Sequence, residues 1–369
     1  MTLQARRPAH HVFPLHRRSS QSTASGALSR RARSLLQRVP VWSWRVLMHS
    51  VKASENSRFN VDPIAGVDYV HDIDFVGDGI RAHRLDVITP HRSGENRQGS
   101  TTIPDGALPV YVYFHGGGWT SGDKSSLTKY CASQAEGGMV VVNVNYRKAP
   151  RFQMAHVLAD ANAALAWVRQ NIAGYGGDPS RLVLGGDSAG GQIAALLTAA
   201  SFQPDLARHH GLVPAMPASD VKGLVQHCSM VDFSVFFDKG FVLSLNFIRM
   251  LLPGLGYGRR SSGGPRVGPR GTGGTDPLDH LRTGAAFLSP IEWLDSRFPP
   301  VFVTTSERDF FYAANLNFIA RLRAHSVHVD TLIYDWDSPN TEHTWQQNFR
   351  YPESQEVYRR LHAFVRKVA

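Results

Sequence analysis

Apolar residues recur along this chain with two alternating periods. Largely apolar runs at 109–114, 139–144, 181–184, 223–230, 300–305 and 327–334 read as strands. The run 139–144 is nearly continuous, as expected of a strand covered on both faces. In 155–172 the pattern changes: Val157, Leu158, Ala161, Leu165, Val168 and Ile172 recur at three- and four-residue steps, which predicts a helix. Residues 189–200 have the small, aliphatic composition of a buried helix, and 241–252 and 312–324 predict two more. Strands alternating with helices argue for the α/β class, with a mostly parallel central sheet and helices on both faces. With 369 residues, 42% of them apolar, the chain can bury one large core.

Chemistry gathers where these runs end. The strand at 181–184 leads into Gly185-Gly186-Asp187-Ser188-Ala189-Gly190-Gly191 and then directly into a helix. Gly186-x-Ser188-x-Gly190 between a strand and a helix is the pattern of a strained turn that lifts a serine hydroxyl above a sheet. Glycines flank it because a side chain there would collide with the neighbouring strand or helix. A glycine-rich phosphate loop would need a following lysine, and none stands at that position. The strand at 109–114 runs into His115-Gly116-Gly117-Gly118-Trp119. Backbone N–H groups in such a loop can stabilise the negative charge that develops on a carbonyl oxygen during attack. Trp119 stands either to line the pocket or to pack the loop.

A serine nucleophile needs a base, and the base needs an orienting carboxylate. In this architecture the chain order is serine, acid, histidine. Asp309 falls in the loop after the strand at 300–305, and His343 ends the polar stretch after the strand at 327–334. Glu307, and Asp232 beyond the strand at 223–230, are the alternative acids. His325, at a helix end, and His328, within a strand, are better suited to structural roles than to that of the base. Asp187 reads as a local hydrogen-bonding group, Asp160 as an anchor for its helix, and Asp178-Pro179 as a turn before the nucleophile strand.

The segments 115–119, 145–150 (Asn-Tyr-Arg-Lys-Ala-Pro), 175–181 (Tyr-Gly-Gly-Asp-Pro-Ser-Arg) and 185–191 together resemble the hormone-sensitive-lipase-like branch of the α/β-hydrolases. That branch contains carboxylesterases and related acyl and arylformamide hydrolases. The resemblance covers about residues 70 to 369. It implies the α/β-hydrolase fold with a helical cap, Ser188 as nucleophile, Asp309 as acid and His343 as base. It also implies oxyanion donors on Gly117, Gly118 and Ala189, with Gly116 shaping that loop, and no cofactor. The chain departs from the branch at Ser306, where glycine is usual, and at Thr344-Trp345, where Gly-Phe is frequent. The expected activity is hydrolysis of a small-molecule carboxylic ester through an acyl-enzyme. An arylformamidase or other amide hydrolase on the same fold is the alternative, and a ligand-binding receptor without catalysis is a more distant one.

Charge changes the picture only at one end. The net charge is +10, but residues 1–54 hold ten basic residues and no acidic one, which leaves the rest formally neutral. The fold itself therefore shows no basic clustering of the kind nucleic acid requires. Residues 1–34, rich in Arg and Ser, read as a disordered tail or an organellar transit peptide. Residues 35–69 read as an N-terminal cap segment; its part 35–51, with Trp42 and Trp44, is too short and too often charged for a membrane span. The expected compartment is the cytoplasm, or an organelle if 1–34 is a transit peptide. A cap insertion is expected around 232–280, including a loop at 256–274 in which eight of 19 residues are Gly. Cys131 and Cys228 read as reduced core residues, away from the triad motifs. No metal site is expected; His10-His11 and His209-His210 are placed in tails or loops without ligand spacing. The sequence carries no signal for oligomeric state.

Overall fold

The computed structural model describes residues 63–91, 106–237, 244–253 and 277–369, with the isolated positions 43 and 46. Both leader readings (apart from those two positions and residues 63–69), Trp42, Trp44 and the glycine-rich loop 256–274 lie outside the described residues.

Among the described residues, eight strands form a single sheet: β1 (Val67–Asp74), β2 (Arg84–Pro90), β3 (Leu108–Phe114), β4 (Val140–Val144), β5 (Gly177–Asp187), β6 (Val221–His227), β7 (Val301–Ser306) and β8 (Val329–Tyr334). Their order across the sheet is β1-β2-β4-β3-β5-β6-β7-β8. At one edge β2 runs antiparallel to both its neighbours, β1 and β4, and the six strands from β4 across β3 to β8 are parallel. The sheet is thus mostly parallel, as the alternation of runs predicts. The apolar runs are continuous because both faces are covered: β4 is buried at every position, and two apolar clusters occupy the opposite faces.

The helices are α1 (Thr128–Glu136), α2 (Met154–Asn171), α3 (Ala189–Ala200), α4 (Pro204–His210), α5 (Ser244–Leu251), α6 (Pro277–Ala286), α7 (Tyr312–Ala324) and α8 (Pro352–Val368). All twelve residues of α3 are buried, which explains their small size. α2 buries the apolar stripe read from its spacing, together with Asp160. That carboxylate grips the Arg147 guanidinium, accepts the Arg147 backbone N–H at 2.9 Å and faces His83, so it does anchor the helix. α5 and the first residues of α6 fall within 232–280.

Three local expectations need correction. The strand expected at 223–230 ends at His227, because Cys228 leaves the extended conformation with φ +48°. Asp178 and Pro179 lie inside β5 rather than in a turn; the chain reverses just before, at Gly176, in left-handed conformation. His209 and His210 are the last residues of α4, not a loop. His209 stacks on the Phe287 ring, and His210 Nε2 lies 2.9 Å from the Phe287 carbonyl oxygen. No helix among the described residues is long and apolar enough to cross a membrane.

Candidate active site

β5 lies at the centre of the sheet, between β3 and β6, and delivers Ser188 at its C-terminal end. Ser188 has φ +51° and ψ −118°, a backbone region that costs a non-glycine residue about 1–3 kcal/mol. The neighbourhood enforces it. The Ser188 N–H donates to the His227 carbonyl at 2.9 Å, and the Ser188 carbonyl accepts from the Met230 N–H at 3.1 Å. A side chain on Gly190 would strike the Phe114 and His115 carbonyls, and one on Gly186 would strike the Gly190 and Gly191 backbone. The turn can form only if both stay glycine.

β3 ends beside β5 and delivers the loop 115–119 to the same edge. Gly117 has φ +109°, and a Cβ there would meet the Ser121 carbonyl. The Gly116 N–H donates to Asp187 Oδ1 at 3.0 Å, so this residue shapes the loop rather than supplying a free donor. Trp119 is buried: its indole N–H donates to Gln192 at 2.8 Å, and its ring contacts Phe233 and Phe247. It packs the loop against these two rings.

Past β7 and β8, two loops bring Asp309 and His343 together. His343 Nδ1 lies 2.6 Å from Asp309 Oδ1. Thr305 donates its hydroxyl to the other oxygen at 3.2 Å. Asp309 is buried, while the imidazole is one-fifth exposed. The rings of Phe310 and Phe311 flank that imidazole at 4.9 and 5.4 Å. The alternative acids are engaged elsewhere. Asp232 accepts from the Asn317 amide at 2.8 Å and the Ser234 N–H at 2.9 Å, and Glu307 accepts from the Trp336 N–H at 2.9 Å. His325 caps the end of α7, and His328 sits just before β8 against Asp330.

The two departures from the family pattern hold the loops. Ser306 donates its hydroxyl to the Thr341 carbonyl, tying the acid loop to the histidine loop. Thr344 adopts φ +62°, the left-handed conformation that favours glycine, and Trp345 is buried against Tyr334.

Asp187 joins the parts. It accepts from Tyr113 at 2.6 Å, from Gly116 and, at 2.9 Å, from the Gln347 amide four residues past His343. The residue before Ser188 thus holds the loop 115–119 and the loop that carries His343 at once. Burial raises its pKa above the ordinary carboxylate value, against the hydrogen bonds from Tyr113 and Gly116 and the nearby His343. Tyr113 and Gln347 carry no sequence signal for this role, since their partner lies 74 and 160 residues away.

Cys228 also corrects an expectation. It is free and buried, as is Cys131, but its sulfur lies within 4.8 Å of the facing Asp309 and His343 atoms. Burial and then the Asp309 charge push its thiol pKa well above the ordinary value, so it is held as the neutral thiol. These three are the metal-ligand grouping found among the described residues, and the Asp and His atoms in it already bond each other.

Residues 111–251 match the model of a family described as alpha/beta hydrolase fold. Carboxylesterase NlhH of Mycobacterium tuberculosis is 46% identical over 91 residues, 24% of this chain and 28% of that protein. Esterase LipQ of the same species is 28% identical over 212 residues, 56% of this chain and 43% of that protein. The chain therefore spans less than half the length of these relatives. Esterase B of Lactobacillus rhamnosis superposes with a TM-score of 0.72 over 90% of this chain and 96% of its own, at 17% identity. At that identity the likeness speaks for the fold.

Proposed function

We propose that this chain, a member of the α/β-hydrolase fold family, is a serine hydrolase that cleaves small-molecule carboxylic esters. The observation that carries the reading is the 2.6 Å pair of His343 Nδ1 and Asp309, on the sheet edge that also presents Ser188 on its strained turn. A carboxylate only accepts, so Nδ1 bears the hydrogen, and in the neutral imidazole Nε2 keeps a lone pair. In the proposed reaction Nε2 takes the Ser188 proton as the hydroxyl oxygen attacks the acyl carbon. The N–H groups of Gly117, Gly118 and Ala189 receive the oxyanion. His343 then protonates the leaving alcohol, and an acyl-enzyme remains on Ser188. Water, deprotonated by the same nitrogen, attacks that ester and releases the acid. Asp309 fixes the tautomer and stabilises the imidazolium. The names of the matching relatives, carboxylesterase and esterase, support the ester class.

A fluorophosphonate probe tests the reading. It is expected to label Ser188 and no other serine, and Ser188→Ala is expected to abolish turnover of p-nitrophenyl esters without loss of folded protein. Retention of more than a few per cent of wild-type activity, or labelling elsewhere, would remove Ser188 as nucleophile. Running esters of increasing acyl length beside an arylformamide separates ester from amide preference.

A further inference from the structure

The segment 145–150 carries part of the family resemblance but has no role in the reaction just described. In the structure it clamps the oxyanion loop. The Tyr146 hydroxyl donates to the His115 carbonyl at 2.6 Å, and the Ala149 N–H donates to the Trp119 carbonyl at 2.8 Å. Between them, Lys148 Nζ lies 2.7 Å from His115 Nε2. The Tyr146 ring stacks on the His115 ring at 4.5 Å, and the Lys148 ammonium lies 3.5 Å from the centre of the same Tyr146 ring.

The donor roles follow from what each partner can do. His115 Nδ1 lies 2.6 Å from the Gly116 carbonyl oxygen. That oxygen only accepts, so Nδ1 carries a hydrogen. An ammonium only donates, so the nitrogen facing Lys148 is a lone pair. Together the two contacts fix a neutral imidazole in its Nδ1–H form. The Gly116 carbonyl belongs to the same peptide unit as the Gly117 N–H. A donor that draws electron density onto that oxygen strengthens the N–H dipole at the other end, as in any chain of hydrogen bonds in a low-dielectric interior. His115 and Tyr146 are buried and Lys148 is half-buried, so solvent screens the imidazole and peptide end of this chain little and the ammonium end more.

We propose that Lys148 is a positioning residue of the oxyanion hole: through His115 and the Gly116 peptide it orients and polarises the Gly117 N–H that receives the developing negative charge. The proposal rests on the serine-hydrolase reading above. It adds a fixed positive charge behind the loop, acting on the transition state and not on substrate binding.

The effect sought is smaller than deleting a donor, which costs about 100- to 1000-fold. The N–H remains and is only less polarised, so Lys148→Met is expected to lower kcat roughly three- to tenfold. KM for a p-nitrophenyl ester should stay within about twofold, because ground-state binding is untouched. A trifluoromethyl ketone, which adds the serine oxygen to give a bound oxyanion, should lose affinity by the same factor as kcat. Lys148→Arg, which keeps charge and donor, should restore most of both. If Lys148→Met does not fold, Lys148→Gln, with a donor but no charge, carries the same expectation. An unchanged kcat and inhibitor affinity would overturn the proposal. So would a loss confined to KM, or a loss that arginine fails to restore. Ser188→Ala run alongside separates the two levels. If it stays active, the hydrolase reading falls; if it is inactive and the Lys148 variants match wild type, only the role of Lys148 falls.

Discussion

Two buried aspartates compete for the role of acid, and their hydrogen bonds separate them. Asp309 spends Oδ1 on His343 and Oδ2 on Thr305, whereas Asp232 spends its oxygens on Asn317 and the start of the next turn. Asp309→Asn offers an amide where a carboxylate stood and favours the wrong imidazole tautomer, so kcat should fall by on the order of 10⁴. Asp232→Asn keeps an acceptor for Asn317 and should change kcat less than about threefold. Steady-state kinetics on the two purified variants decide the matter, and the reverse ranking would move the acid to the end of β6. At this scale the sequence is informative where a side chain's role follows from its place in a strand-loop pattern. Ser188, Asp309 and His343 each stand just past an apolar run, and the structure puts each there. Cys228, Tyr113 and Gln347 are different. The contacts of Cys228 and Gln347 depend on how distant segments meet, and that of Tyr113 on the pairing of β3 with β5; the local pattern encodes neither.

Elements were legible where burial on both faces writes a continuous apolar run, as in β3, β4 and β7, and where helical spacing is strong, as in α2. Boundaries failed where backbone conformation overrides composition. Residues 228–230 read as strand because Cys, Ser and Met follow an apolar run, yet Cys228 turns left-handed and its neighbours bond the nucleophile turn instead. Asp178-Pro179 reads as a turn by composition, yet Gly176 makes the reversal. The junction of β5 and α3 is the least tolerant of these elements. Gly190→Ala places a methyl group against the Phe114 and His115 carbonyls, which belong to the adjoining strand and the oxyanion loop and are fixed by β-sheet pairing and by Tyr146. Neither can retreat without moving the site. The substitution should destabilise by at least about 2 kcal/mol, at the upper end of overpacking costs, and remove activity as well. Denaturant unfolding beside Gly66→Ala, where an added Cβ meets nothing nearer than 3.5 Å and φ is not positive, isolates the collision. Equal losses in the two variants would show that the collision does not account for the effect.

For the molecule as a whole, burial of histidines sets the acid limit. Burial lowers the pKa of His227 to about 3 and, as the main cause, those of His210 and His362 to about 4, from the ordinary 6.5. His227 is held between Tyr130 at 2.8 Å and Thr304 at 2.7 Å, His210 against the Phe287 carbonyl, and His362 against Gln134. All three groups take up protons in the unfolded chain at a higher pH than in the folded one. Their contribution to stability is therefore complete above about pH 6.5 and is lost as pH falls toward 4 and below. Carboxylates act lower. Glu356, held by Arg359 and Arg360 with a pKa of about 2, loses its contribution only below its ordinary 4.5. The interval between pH 6.5 and 4.5 thus belongs mainly to the histidines. The melting temperature should hold above pH 7 and decline progressively from 6.5 to 4.5. His362→Gln, which keeps a donor toward Gln134 at the least enclosed of the three sites, should reduce that decline while lowering the plateau. A wild-type melting temperature that stays flat down to pH 4.5 would mean that these imidazoles gain protons in the fold as readily as in the unfolded chain. Burial would then not be the force that sets their charge.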